Sequence, residues 1–263
     1  MPPPMRSWIH SVKPLGDFSQ AAGQLQPSHP SGFSVPPLLE ALSDTSGKED
    51  GPLARALALL FEPSPALYST LVPALTTHIR DSSLILSYDA LIDASLGVIA
   101  SWADDLKAQF IAGHPRIGEV KGLSQLSAQE QAAKATPPEV LARLAHLNAC
   151  YEHRYPGLVY ITFVNGRSRA EIKDEMEEAL GLDHSVSPDE PPVESVGQVD
   201  AGSQEWKREL ERAIGDVGKI AKSRLKALGI ERYVRCDVSL RPALTHVKLA
   251  IIKHTSKILQ RTF

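Results

Sequence analysis

Three short segments of this chain carry side chains suited to handling an anionic small molecule. The first is Gly113-His114-Pro115-Arg116-Ile117-Gly118. Pro115 restricts the residue before it to extended geometry and removes a backbone donor, so the His114 imidazole is held at a turn. An imidazole titrates near neutrality and can hold or release a proton as a reaction proceeds. A His-Pro pair is also an ordinary loop, and taken alone it favours that plainer reading. The second segment is Ser127-Ala128-Gln129-Glu130-Gln131. Ser-x-x-Glu is a capping-box pattern, in which Ser127 and Glu130 only satisfy orphan N–H groups at a helix start. The same geometry would set the Ser127 hydroxyl, the Glu130 carboxylate and the Gln131 amide beside a helix N-terminus, where an anion or a polar heterocycle is favoured. The third is Phe163-Val164-Asn165-Gly166-Arg167-Ser168, together with Arg224 in a later helix. A guanidinium binds a carboxylate through two parallel bonds, but a surface arginine is usually just solvated.

The elements that would position these groups are helical. Leu53 to Phe61 places apolar residues at helical spacing until Pro63 and Pro65 stop it. Asp81 or Ser82 can open the next helical stretch. Tyr88 to Leu106 reads as one long amphipathic helix with Leu91, Ala94, Ser95, Val98, Ile99 and Trp102 on its inner face. Pro138 to Arg154 reads as another, with Leu141, Leu144, Ala145, Asn148, Ala149 and Tyr151 near its inner side. Ser168-Arg169-Ala170-Glu171 has the form of a capping box, and its helix runs through Leu180 to stop at Gly181. A basic helix is expected from about Gln204 to Leu228, with Gly229 closing it. Val159-Tyr160-Ile161-Thr162-Phe163-Val164 is strand-like by propensity. With no equally clear partner nearby, it is expected as an extended or short helical segment packed inside a helical domain.

Composition sets the outer bounds. The 263 residues are 43% hydrophobic and 22% charged, ordinary globular usage and enough for one large domain. A formal net charge of −3 gives no bulk attraction to nucleic acid or membrane. Two distant cysteines, Cys150 and Cys236, make neither a disulfide framework nor a Cys-rich zinc site. The nine histidines show no His-x-x-x-His spacing on a helix, so a zinc hydrolase is disfavoured. No apolar run reaches the ~18–20 residues that span a bilayer, and no secretory h-region follows Met1. The chain reads as soluble and cytoplasmic. Eleven of the 20 prolines fall in the first 65 residues, which marks 1–35 as a loosely ordered arm. The helical domain then spans 36–229. Within it, 183–205 holds six acids, three prolines and no Lys or Arg, the composition of a solvated surface loop. Residues 230–263 form a C-terminal extension with a short strand-like run at Tyr233–Leu240 and a cationic helical pattern at Leu244–Leu259. From Trp206 onward 14 Lys and Arg face five acids, a stripe that could serve an adaptor binding anionic partners.

Taken jointly and in order, the motifs resemble the OHCU (2-oxo-4-hydroxy-4-carboxy-5-ureidoimidazoline) decarboxylase family. The resemblance rests on His114-Pro115, Ser127-x-x-Glu130-Gln131, Leu147-Asn148-x-x-Tyr151-Glu152 and Phe163 to Ser168. Leu60-Phe61-Glu62-x-Ser64-Pro65, Ser87 to Ala94 and Lys219 to Leu225 add to it. It covers about Pro36 to Gly229. It implies an all-α fold, a single multi-helix domain acting as a homodimer, with no metal and no organic cofactor. It further implies decarboxylation of OHCU to (S)-allantoin in urate breakdown, with His114 as general acid/base and Glu130 and Arg224 positioning substrate. Pro115, Ser127, Gln131, Tyr160, Ile161, Phe163, Val164 and Arg167 would contact the substrate. Some relatives end in a peroxisomal Ser-Lys-Leu-type signal, whereas this chain ends Gln260-Arg261-Thr262-Phe263. The remaining alternative is a helical scaffold of the same fold that has lost catalysis.

Overall fold

The computed structural model describes residues 34–82, 85–119, 123–124, 126–128, 136–185 and 187–230. They are all-helical, and no strand occurs among the described residues. The elements are α1 (Leu38–Ser43), α2 (Pro52–Phe61), a π-helical turn (Leu67–Leu71) running into α3 (Val72–Ser82), and α4 (Tyr88–Ala100). There follow α5 (Asp104–Ile111), α6 (Pro138–Arg154), α7 (Arg169–Leu180), a 3-10 turn (Val193–Ser195) and α8 (Gln204–Ala227). Of the arm expected at 1–35 only Ser34 and Val35 are described, and of the extension at 230–263 only Ile230.

Helix α8 is the axis of the fold. Its 24 residues make it roughly 36 Å long at 1.5 Å per residue. Leu210, Ala213, Val217, Ala221 and Leu225 form its buried stripe against α2, α4 and α5. Burying each such leucine contributes roughly 1.5–3 kcal/mol. Gly218 lets α4 approach closely, since a Cβ there would lie 2.7 Å from Leu96 Cδ1. Helix α6 packs chiefly on α7, which carries both halves of the Ser168–Glu171 capping box and stops at left-handed Gly181. The start of the fold is tied to its middle by the Tyr88 hydroxyl, which donates to the Pro36 carbonyl at 2.5 Å.

Several expectations need correction. The helix expected from Tyr88 to Leu106 is two helices. Ser101 donates through both its N–H and its hydroxyl to the Val98 carbonyl, tightening the last turn of α4. Ala103 is then extended, and Asp104 and Asp105 restart the chain at the favourable end of a new helix dipole. Asp81 and Ser82 close α3 rather than open a helix; the next one starts at Ser87, whose hydroxyl accepts from Ala90 N–H. On α6, Ala145 and Ala149 face solvent, and Arg143 is buried instead because Glu177 of α7 meets it at 2.7 Å. The acidic stretch 183–205 is not simply solvated. Val196 and Val199 are buried, and Val199 N–H donates to the Arg154 carbonyl at 2.8 Å, so this stretch lies as a strap along the end of α6.

Candidate active site

The end of α2 is where the site begins. Glu62 follows an apolar helix and precedes Pro63, in a backbone conformation of φ 66° and ψ 141° that L residues rarely adopt. Pro63 favours the extended ψ, and the positive φ turns the chain so that the carboxylate points inward. Glu62 is 3% exposed. Its Oε1 accepts from Arg224 Nη2 at 2.6 Å, from the Ser127 hydroxyl at 2.5 Å and from the Ser124 hydroxyl at 2.8 Å. Burial alone would raise its pKa, but Arg224 and the two hydroxyls outweigh that and hold the carboxyl below its usual range.

Ser127 is therefore not acting as a helix cap. It sits in a short helical turn at 126–128, and it is Ser124 whose side chain accepts the Ser127 N–H, at 3.2 Å. The Ser127 hydroxyl is left to bridge Glu62 and Arg224, the latter donating from Nη2 at 2.9 Å. Glu130 and Gln131 lie outside the described residues.

His114 reaches the same place from α5. The chain leaves that helix through a turn in which His114 N–H donates to the Ile111 carbonyl. Gly113 permits the approach, because a Cβ there would fall 2.5 Å from Ser64 Cβ. Two side chains of α6 then pin the loop: Asn148 donates to the Ile117 carbonyl at 3.0 Å, and Glu152 pairs with Arg116 through both oxygens. The imidazole packs edge-on against Phe110, is 6% exposed, and among the described residues makes no hydrogen bond at either ring nitrogen. Burial, then the nearby Arg224 charge, push its pKa down to about 4, with Glu62 and the backbone carbonyls of Ile111 and Phe110 opposing. The ring is neutral at physiological pH.

The facing wall is the strand-like segment, which from Leu158 to Val164 forms neither helix nor sheet. Arginines replace the missing neighbour strand. Arg212 of α8 donates to the Ile161 carbonyl at 2.9 Å and lies over the Tyr160 ring. Arg167 folds back onto the Val164 and Phe163 carbonyls, the Thr162 hydroxyl and Glu175. Tyr151 packs edge-on against Tyr160 and donates to Glu209, which in turn grips Arg212. The Asn148, Tyr151 and Glu152 run on α6 thus holds both the histidine loop and the wall.

These parts enclose one cavity of about 420 Å³. His114, Pro115, Ser127, Tyr160, Ile161, Phe163, Val164, Arg167 and Arg224 all line it. Arg167 reaches it with its donor nitrogens committed to neighbours in the wall, whereas Arg224 stands on its floor. Thr136, Arg169, Ile220 and Ser223 also line it and were not among the expected site residues, although Arg169 lies in the capping box and Ile220 and Ser223 lie within a motif of the resemblance. Glu62 was missed as well. Its signal was a lone acid at the end of an apolar helix, directly before proline. Among the described residues, Asp174, Glu177 and His184 come close enough together to suggest a metal. Glu177 there is already taken by Arg143 and Lys173, so the trio is an ion-pair cluster.

Among the described residues, fold and cavity define an all-helical domain whose polar groups converge on a small-molecule pocket, the arrangement of a ligand or active site. The profile of a family described as OHCU decarboxylase matches residues 49–186, just over half of the 263-residue chain. The chain belongs to this enzyme family. The matched stretch includes Glu62, His114, Ser127 and the wall; Arg224 comes from beyond it. No curated protein and no solved structure matches the chain.

Proposed function

We propose that the protein decarboxylates OHCU to (S)-allantoin in purine breakdown. The observation that carries this reading is a neutral, buried imidazole with no ring hydrogen bond among the described residues, sharing one cavity with an arginine held in place by a carboxylate. OHCU has a carboxylate and a hydroxyl on one ring carbon, next to an imine carbon bearing the ureido group. When the carboxyl C–C bond breaks, the electron pair passes into the adjacent C=N, and carbon dioxide leaves. The ring nitrogen takes a proton from solvent. The hydroxyl proton moves to the former imine carbon as the C–O bond becomes a carbonyl. Because the substrate supplies its own electron sink, the protein has only to hold charge and steer protons.

Arg224 orients the carboxylate. Neutral His114 takes the hydroxyl proton as a base and returns it to carbon from one face, which sets the allantoin enantiomer. Ser127, Glu130 and Gln131 grip the ureido and ring amides, while the backbone of Tyr160 to Val164 and Pro115 bound the ring, with Arg167 keeping that wall in shape. We place the protein in the cytoplasm as a homodimer that needs neither metal nor organic cofactor, with no nucleic-acid or membrane partner.

Turnover of freshly made, urate-derived OHCU, followed by circular dichroism, tests the reading. The wild-type protein speeds the appearance of chiral allantoin, and His114→Ala lowers turnover by about 10²–10⁴-fold. Wild-type turnover in the histidine variant ends the assignment of His114. A wild-type protein with no effect on OHCU leaves the fold as a scaffold without this activity.

A further inference from the structure

We infer that Glu62 is a positioning residue for the decarboxylation, holding Arg224 oriented and charge-balanced at the place where the substrate carboxylate docks. The inference rests on the OHCU reading and deepens it. Glu62 is not among the side chains that line the cavity; it stands behind Arg224 and Ser127, which do. Three facts converge on it. Both members of the pair are 3% exposed, so the attraction is weakly screened. A single oxygen, Oε1, gathers the guanidinium and two hydroxyls, which fixes where Arg224 Nη2 and the Ser127 hydroxyl lie. The backbone is held at φ 66° to deliver that carboxylate. Strain of this kind persists where surrounding structure over-determines it, and it clusters at active sites.

The charge balance matters to the reaction. Decarboxylation starts with negative charge on the carboxylate and moves the bonding pair into the ring, while carbon dioxide leaves neutral. An arginine without a counter-charge would bind the starting carboxylate most tightly and hold charge where it must be lost. An arginine already balanced by Glu62 orients the same carboxylate with less such bias. Interactions that favour the ground state over the transition state lower KM without raising kcat.

The test pairs kinetics with equilibrium binding. Hydantoin-5-acetate, a five-membered ureide ring bearing a carboxylate, is titrated calorimetrically into wild-type protein and Glu62→Gln, with neutral allantoin as the comparison. Removing one buried negative charge is expected to tighten hydantoin-5-acetate by roughly tenfold and to leave allantoin within about twofold. With OHCU, KM falls while kcat drops by about 10²-fold, the size of effect that misplacement of a catalytic group produces. Equal hydantoin-5-acetate affinity in the two proteins overturns the inference, as does a rise in KM. If Glu62→Gln does not fold, Glu62→Asp keeps the charge but withdraws it by one methylene. Roughly tenfold lower kcat at unchanged hydantoin-5-acetate affinity then supports the positioning role, and wild-type kcat overturns it. Absence of OHCU turnover by the wild-type protein defeats the proposed function and with it the role in decarboxylation, while the binding comparison still decides separately whether Glu62 balances Arg224 where a carboxylate docks.

Discussion

Among the described residues, two buried arginine–carboxylate pairs are alike in chemistry and unlike in setting. Arg143 meets Glu177 at 2.7 Å with side chains 1% and 0% exposed; Arg224 meets Glu62 at 2.6 Å with both at 3%. The first joins two regular helices, α6 and α7. Arg143 also donates to the Glu190 carbonyl, and Glu177 also accepts from Lys173 and from Ser185 N–H, so the cluster ties the two helices to the strap and does not line the cavity, with Arg143 Nη2 alone left without a hydrogen bond among the described residues. The second has one partner in a backbone conformation that costs about 1–3 kcal/mol in an L residue, and it opens on a cavity beside a histidine whose ring makes no hydrogen bond among the described residues. Desolvation offsets most of the Coulombic gain of a buried pair, so burial alone says little about purpose. Strain and an open face separate the functional pair from the structural one.

Replacing each pair with apolar residues tests that contrast most severely. Arg224→Met with Glu62→Leu is expected to cut OHCU turnover by about 10²–10³-fold or more, as when a charge-stabilising donor is lost. Its stability should change by no more than about 2 kcal/mol, because no charge is left alone in the core. Arg143→Met with Glu177→Leu should keep turnover per folded molecule close to wild type. Arg143→Met alone should cost about 3 kcal/mol, since it strands part of the Glu177 charge. Thermal melts and turnover on the same preparations read both quantities. A site variant that retains turnover, or a clamp variant that folds yet loses it, would erase the distinction.

Acid should act on the site through its histidine. The His114 imidazole titrates near 4 in the folded protein because burial and Arg224 disfavour its charged form, against about 6.5 in an unfolded chain. The unfolded state therefore binds the extra proton first as pH falls. Stability is lost between about pH 6.5 and 4, on the order of 3 kcal/mol at the limit, and His114 contributes no slope above pH 7. Denaturant titrations across this window should show the decline in wild-type protein and a shallower one in His114→Leu. An equal slope in both would mean the histidine is not held neutral.

Much of this was legible beforehand, in proportion to how local its causes are. Helices α6 and α7 begin and end where their prolines, capping box and Gly181 place them, because caps are settled within a few residues. The break between α4 and α5 has no proline or glycine to announce it; it depends on Ser101 folding onto its own helix. His114 and the wall stood out through the joint order of motifs, although neither was informative singly. Glu62 entered that order only within a helix-end motif and drew no role, since an acid just past a helix end ordinarily faces water. Its partner is a guanidinium from the far end of the chain, and only tertiary structure brings the two together.

The smallest expected effect concerns the wall, which lies between the two pairs in character. Like the clamp it is held by arginine, and like the site it faces the cavity. Arg212 takes the Ile161 carbonyl at 2.9 Å and is itself fixed by Glu209 and by Asp216 at 2.9 Å. A hydrogen bond to a charged donor is worth about 1.5–3 kcal/mol, and Arg212 is partly exposed, so the lower end applies. Arg212→Gln should then raise KM for OHCU by roughly tenfold while kcat stays within about threefold, because the wall holds the ring and does not touch the departing carboxylate. Arg212→Lys should recover part of the loss, as lysine keeps the charge but not the planar fork. A fall in kcat at unchanged KM would instead link Arg212 to Arg224 along α8 and make the wall part of the charge-handling machinery.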